Sequence, residues 1–210
     1  MRNTEKKIAN LLLQNKAIKL NPAKPFQWAS GWKSPIYCDN RKTLSYPDIR
    51  NTIRDEFVNL IQKNFNQVEA IAGVASGAIA QAALVADKMN LPMLYVRSSA
   101  KSHGLENLVE GDPLPRQRIV VVEDLISTGG SSLKAVEALR NIDCEVVGMV
   151  AIFTYGFKQS EEKFHEANCS LFTLSNYESL LEEAQESGYI SSNELEVLKA
   201  WRRDPENWMK

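Results

Sequence analysis

The feature that most constrains this chain is RIVVVED, residues 118–124. Ile119 to Val122 form an unbroken β-branched run with no polar residue to face water. A strand with one wet face alternates apolar and polar side chains, so a continuous run predicts a strand buried on both faces. Helices must then cover it above and below.

The rest of the chain supplies those helices. VEAIAGV (68–74), LPMLYVR (91–97), CEVVGMVAIFTY (144–155) and a segment near 170–174 predict further strands. Helices are predicted at 76–90, 129–141, near 158–167, at 176–188 and at 191–202. Thr4 can cap an earlier helix in which Ile8, Leu11 and Leu12 recur at helical spacing. Pro47 opens another, with Ile49, Ile53, Phe57 and Leu60 on one face. Residues 21–41, rich in Pro, Gly, Ser and aromatics, read as loop and short strands. The expected architecture is α/β, with a central, mostly parallel sheet flanked by helices. Ligands of such sheets sit at the carboxyl ends of the strands. The informative positions therefore follow residues 74, 97, 124 and 155.

The 210 residues suit a single domain, 1–210. A net charge of −1 argues against bulk attraction to nucleic acid or an anionic membrane, but not against one local anion site. Cys38, Cys144 and Cys169 are far apart and in no metal-binding spacing, so they read as reduced thiols. The first 20 residues lack the apolar core of a signal peptide, and no stretch approaches the ~18 uninterrupted apolar residues of a membrane helix. A cytoplasmic protein is expected.

The segment 98–117 is polar, with Gly and Pro throughout. Structureless loops beyond about 12–15 residues are uncommon in compact domains and often functional. This one carries Lys101 and His103, with Arg97 just before it. His165, in the polar stretch EEKFHEAN, reads as solvated, and the tail WRRDPENWMK as a surface helix end.

The chemistry concentrates at 123–131. Ser127, Thr128, Gly129, Gly130 and Ser131 lie between the buried strand and a helix. Glycines let successive N–H groups point at one spot, and the helix adds its positive end. That arrangement cradles a phosphate. It is neither a Walker loop nor a dinucleotide fingerprint. Glu123 and Asp124 stand just before the cradle, and carboxylates repel phosphate. They suit neutral hydroxyls, such as those of a ribose carrying a 5′-phosphate.

VVVEDLISTGGSS (120–132) resembles the phosphoribosyl-pyrophosphate (PRPP) motif of type I phosphoribosyltransferases. SGWKSPIYCDNRKTLSYP (30–47) resembles the N-terminal signature of the orotate phosphoribosyltransferases, YVRSSAKSHG (95–104) their catalytic loop, and IAGVASGAIA (71–80) their pyrophosphate loop. The resemblance implies the type I fold, with a small N-terminal hood (about residues 1–45 plus C-terminal elements) and a long flexible catalytic loop. It implies a Mg²⁺-dependent reaction of PRPP with orotate, giving orotidine 5′-monophosphate (OMP) and pyrophosphate, in a homodimer with shared active sites.

The resemblance also distributes roles. Lys101, His103 and Asp124 are the implied catalytic residues. PRPP would be held by Arg97, Lys101, His103, Glu123, Asp124 and the loop Leu125, Ile126, Ser127, Thr128, Gly129, Gly130 and Ser131. Orotate would meet Ser127, Tyr37 and Lys33. Mg²⁺ would be held mainly by PRPP and water, with no protein ligand assigned. Several members carry a lysine before the first Ser-Gly, where this chain has Ala29, and an arginine after the penultimate strand, where it reads FTYGFK (153–158). Without them the resemblance assigns no arginine to the orotate. Two other readings are a purine phosphoribosyltransferase, which the 30–47 signature opposes, and a PRPP-sensing regulator, which the near-neutral charge and the loop Lys101 and His103 oppose.

Overall fold

In the computed structural model, which describes residues 2–28, 31–98 and 108–209, the β-branched run lies in a strand paired in parallel on both sides. Along the chain come α1 (Arg2–Gln14), β1 (Ile18–Leu20), β2 (Phe26–Gln27), β3 (Lys33–Ser34), β4 (Ile36–Cys38), a 3₁₀ helix (Asn40–Ser45) and α2 (Pro47–Asn64). Then follow β5 (Ala70–Val74), α3 (Ile79–Met89), β6 (Met93–Val96), β7 (Val109–Glu110), β8 (Arg118–Ile126) and α4 (Gly130–Arg140). The chain continues with β9 (Glu145–Thr154), α5 (Lys158–Glu166), β10 (Leu171–Asn176), α6 (Tyr177–Glu186) and α7 (Ser192–Arg203).

Among the described residues the main sheet has six strands in the order β10-β9-β8-β5-β6-β7, and only β7 runs antiparallel. β8 pairs on both sides, Val122 opposite Gly73 of β5 and Val150 of β9. Strand alternation then sorts its side chains. Val120 and Val122 join the core shared with α1, α2, α3, α6 and α7. Ile119 and Val121 join the core under α4 and α5. All four are fully buried, each worth about 1.5–3 kcal/mol. A strand buried on both faces explains why no polar residue interrupts the run.

Helix ends follow local chemistry. Pro47 takes a first-turn position of α2, where a missing N–H costs nothing. Asn90, left-handed at φ 53°, stops α3. Ser191 and Glu194 close a capping box on α7. α1 departs from expectation, starting at Arg2 so that Thr4 lies inside it rather than capping it. Long-range partners hold this early turn: Arg2 pairs with Glu182 at 2.9 Å, and Glu5 accepts from Ser179 Oγ at 3.1 Å, both on α6.

A separate layer covers the carboxyl end of the sheet. β1 pairs with β4, Ile18 opposite Cys38, and β2 with β3. An aromatic cluster joins this layer to the sheet and to the C-terminal helix. Trp201 is fully buried, its ring 5.5 Å from Trp28, 5.8 Å from Tyr155, 5.7 Å from Phe157 and 5.6 Å from Tyr177. Its Nε1–H donates to the Lys33 carbonyl at 3.2 Å. The expectation of a surface helix end is corrected here: Trp201 is a hub, because α7 turns its apolar stripe of Leu195, Leu198 and Trp201 inward.

Candidate active site

Strand geometry divides the two acids. Successive side chains of a strand point to opposite faces. Glu123 turns toward α4 and is buried, its Oε2 accepting from Ser132 Oγ at 2.8 Å and its Oε1 from the Asp124 N–H at 2.8 Å. Asp124 is half-exposed and turns toward the turn after β5. The two carboxyls therefore carry different electrostatics. Burial, then the hydrogen bond and charge of Asp124, push Glu123 up to about 8. Glu123 is thus held above the ordinary carboxylate range at the strand end, while Asp124 lines the cavity.

Gly77 makes room for Asp124. A methyl group built there would overlap the Asp124 carboxylate. Residues 75–78 form the turn between β5 and α3, with a cis peptide between Ala75 and Ser76. Across the cavity, Gly129 adopts φ 79°, which only glycine takes at low cost, and its missing Cβ leaves room for the Phe164 ring. α4 starts at Gly130 with no side-chain cap. Its first N–H groups are thus free to receive an anion.

These pieces line one cavity of about 360 Å³, together with Ser127, Thr128, Ser131 and Leu125. The volume lies within the range of small-molecule sites, about 300–1,000 Å³. Asp39 and Arg41 close the other wall. Between them Asn40 is buried, its Nδ2 donating to the Asp124 carbonyl at 2.6 Å and its Oδ1 accepting from Cys38 Sγ at 3.3 Å. Burial and then the Asp124 charge push the Cys38 thiol well above its ordinary range, so it is no nucleophile.

The uncapped start of α4 and the Asp124 carboxyl thus meet at one cavity. The model of the phosphoribosyl transferase domain matches residues 44–183. An orotate phosphoribosyltransferase of Bacteroides thetaiotaomicron is 61% identical over 208 residues, covering 99% of this chain and 98% of the relative. One of Porphyromonas gingivalis is 60% identical, covering 99% of both. The crystal structure of the Aeropyrum pernix orotate phosphoribosyltransferase superposes with a TM-score of 0.76 at 28% identity, over 88% of this chain and 99% of that one. The chain belongs to the orotate phosphoribosyltransferase family. Its fold is the type I phosphoribosyltransferase fold.

The expected site residues of this phosphoribosyltransferase fall into four groups. Glu123, Asp124, Leu125, Ser127, Thr128, Gly129 and Ser131 line the cavity together, and Ile126 and Gly130 are continuous with them in β8 and α4. Arg97 lines a neighbouring cavity with Ser98, Leu108 and Lys134, its Nη1 3.5 Å from Glu110. Tyr37 is exposed, its ring 5.6 Å from Phe26, and Lys33 donates to the Met209 carbonyl at 3.0 Å; neither lines the main cavity. Lys101 and His103 lie outside the described residues. The sequence reading missed Asn40, Arg41, Gly77 and Ser132. Asn40 and Arg41 stand inside the quoted 30–47 signature, so the signal for them was present but unassigned.

Proposed function

We propose that the protein transfers the 5-phosphoribosyl group from PRPP to orotate, giving OMP and pyrophosphate, the step that supplies OMP to pyrimidine biosynthesis. The observation that carries this is the cavity joining Asp124 to the uncapped start of α4. The N–H groups of α4 and the hydroxyls of Ser127, Thr128 and Ser131 receive the 5′-phosphate. Asp124 accepts from the ribose hydroxyls. Glu123 stiffens the strand end through Ser132 and the Asp124 N–H and, lining the same cavity, is assigned to the ribose with Asp124.

N1 of orotate bonds to C1 of the ribose as the bond from C1 to pyrophosphate breaks, and the N1 proton passes to the departing pyrophosphate or to water. Positive charge develops on the ribose ring, where Asp124 stabilises it. The departing pyrophosphate keeps the bonding electrons, and Arg97, Lys101 and His103 are assigned to meet its charge. Ser127 is assigned to the polar edge of the pyrimidine, Tyr37 to its face and Lys33 to an anionic group of either substrate. Mg²⁺ would be held mainly by PRPP oxygens and water, because among the described residues no group of three or more His, Cys, Asp or Glu is placed to hold a metal ion. When bound, it would neutralise charge on the pyrophosphate.

A single phosphoribosyltransferase domain spanning 1–210 carries these parts, with the layer of β1–β4 and α7 as its hood. A homodimer is proposed because isologous pairs are the commonest assemblies. A cytoplasmic location agrees with the fact that no helix among the described residues is long and apolar enough to cross a membrane.

The test is direct. Protein, PRPP, Mg²⁺ and orotate together should deplete orotate absorbance and form OMP. Consumption of adenine, guanine or hypoxanthine in place of orotate would overturn the base assignment.

A further inference from the structure

The acceptor proposed above is an anion, yet acidic side chains border the cavity that would hold it. Asp39, Glu123 and Asp124 all line it. A carboxylate at C6 of a pyrimidine would be repelled there unless a cation stood beside it. Among the described residues lining the cavity, Arg41 is the sole cation. Resting on the orotate reading, we propose that Arg41 recognises the carboxylate of orotate and so separates it from uncharged pyrimidines.

Three features favour this. The first is the way Arg41 is held. Its Nε donates to Asp39 Oδ1 at 2.7 Å, which fixes the guanidinium through one nitrogen. The two terminal nitrogens make no hydrogen bond among the described residues. A guanidinium held in this way still offers a planar pair of donors to a carboxylate. The Arg41 hydrogen bond also keeps the Asp39 carboxyl below its ordinary range, so the holding group stays charged.

The second is rigidity. Arg41 follows Asn40, whose side chain is fastened to the Asp124 carbonyl at 2.6 Å and whose carbonyl accepts from Thr43 Oγ1 at 2.6 Å. The backbone that presents Arg41 is therefore tied to the strand end that presents Asp124. The third is position along the substrate. The base is attached at C1, next to the C2 hydroxyl that Asp124 is assigned. The 5′-phosphate leaves from the far side of the ribose, toward α4. A cation on the Asp124 and Asp39 side is thus at the base end, away from the phosphate cradle. Asp39 and, more weakly, Asp124 hold the guanidinium charged.

Steady-state kinetics of Arg41→Gln and Arg41→Lys test the proposal. Arg41→Gln should raise KM for orotate about 10- to 100-fold, the range for losing a charge-assisted hydrogen-bond pair. KM for PRPP should stay within about threefold, because the ribose and phosphate contacts are untouched. Arg41→Lys should recover part of the loss. In reverse, KM for OMP should rise and KM for pyrophosphate should not. The preference for orotate over uracil should shrink by the same factor as KM rises. A rise in KM for PRPP or pyrophosphate instead would assign Arg41 to the leaving group and overturn the proposal. Unchanged constants would leave Arg41 as a mere holder of Asp39 and overturn it equally. If Arg41→Gln fails to fold, Arg41→Lys carries the same comparison. Wild-type protein that never consumes orotate would instead sink the functional reading on which this rests, and this proposal with it.

Discussion

Glu123→Gln isolates the cost of keeping a carboxyl inside the sheet. The folded chain holds Glu123 up near 8 by burial and by Asp124, against an ordinary 4.5 when unfolded. Between those two pH values the folded state binds a proton that the unfolded state has released. Stability must then fall as pH rises through that window. The full difference corresponds to a loss on the order of 3–5 kcal/mol by pH 8–9, relative to pH 4.5. Asp39, Asp55, Glu182 and Glu194 shift the other way, so their contributions are lost only as pH falls below the ordinary carboxylate range. Glutamine keeps an oxygen for the Asp124 N–H and can donate to Ser132 Oγ, whose hydroxyl rotates to accept. Urea unfolding at intervals from pH 5 to 9, read by far-UV circular dichroism, should show wild-type stability declining and Glu123→Gln nearly flat. At pH 8 the variant should be the more stable protein. A flat wild-type profile, or the same slope in both proteins, would refute the protonated, buried carboxyl.

Gly77→Ala places a methyl on the Asp124 carboxylate; it should raise KM for PRPP about tenfold and cost about 1–3 kcal/mol in urea unfolding, and normal PRPP use would contradict the close approach. Lys101→Ala should lower kcat about 100-fold or more, as loss of a transition-state charge partner does, and an unchanged kcat would sink the loop assignment. Trp201→Ala should destabilise by about 3–5 kcal/mol, because it empties the centre of the aromatic cluster; a change under 1 kcal/mol would place α7 outside the cooperative core.

Much of this architecture could be read from residue order, for identifiable reasons. The run Ile119 to Val122 left no solvent-facing side chain, so a doubly covered strand was the sole economical outcome. The cradle at 127–131 was legible because glycines and hydroxyls between strand and helix have few other uses. What stayed hidden depends on contacts distant in sequence. Asn40 meets Asp124 across 84 positions, and Trp201 meets Lys33 across 168. No periodicity encodes such pairs. The unequal character of Glu123 and Asp124 was hidden differently. Their adjacency suggested a shared task, whereas strand alternation turns one toward Ser132 of α4 and the other toward Gly77. Thr4 shows tertiary anchoring overriding a capping preference.

The aromatic cluster also makes the protein spectroscopically lopsided. Its four tryptophans, Trp28, Trp32, Trp201 and Trp208, all belong to the covering layer or to the C-terminal segment that packs with it. Strands β5 to β10 contain none. Indole emission therefore weights the covering layer and its seam with the strand ends at Tyr155 and Tyr177, whereas circular dichroism averages over every helix and strand. Loosening of that layer ahead of the sheet would separate the two signals along a denaturant series. Their coincidence would mean that the wall carrying Arg41 and the strand carrying Asp124 melt as one cooperative unit.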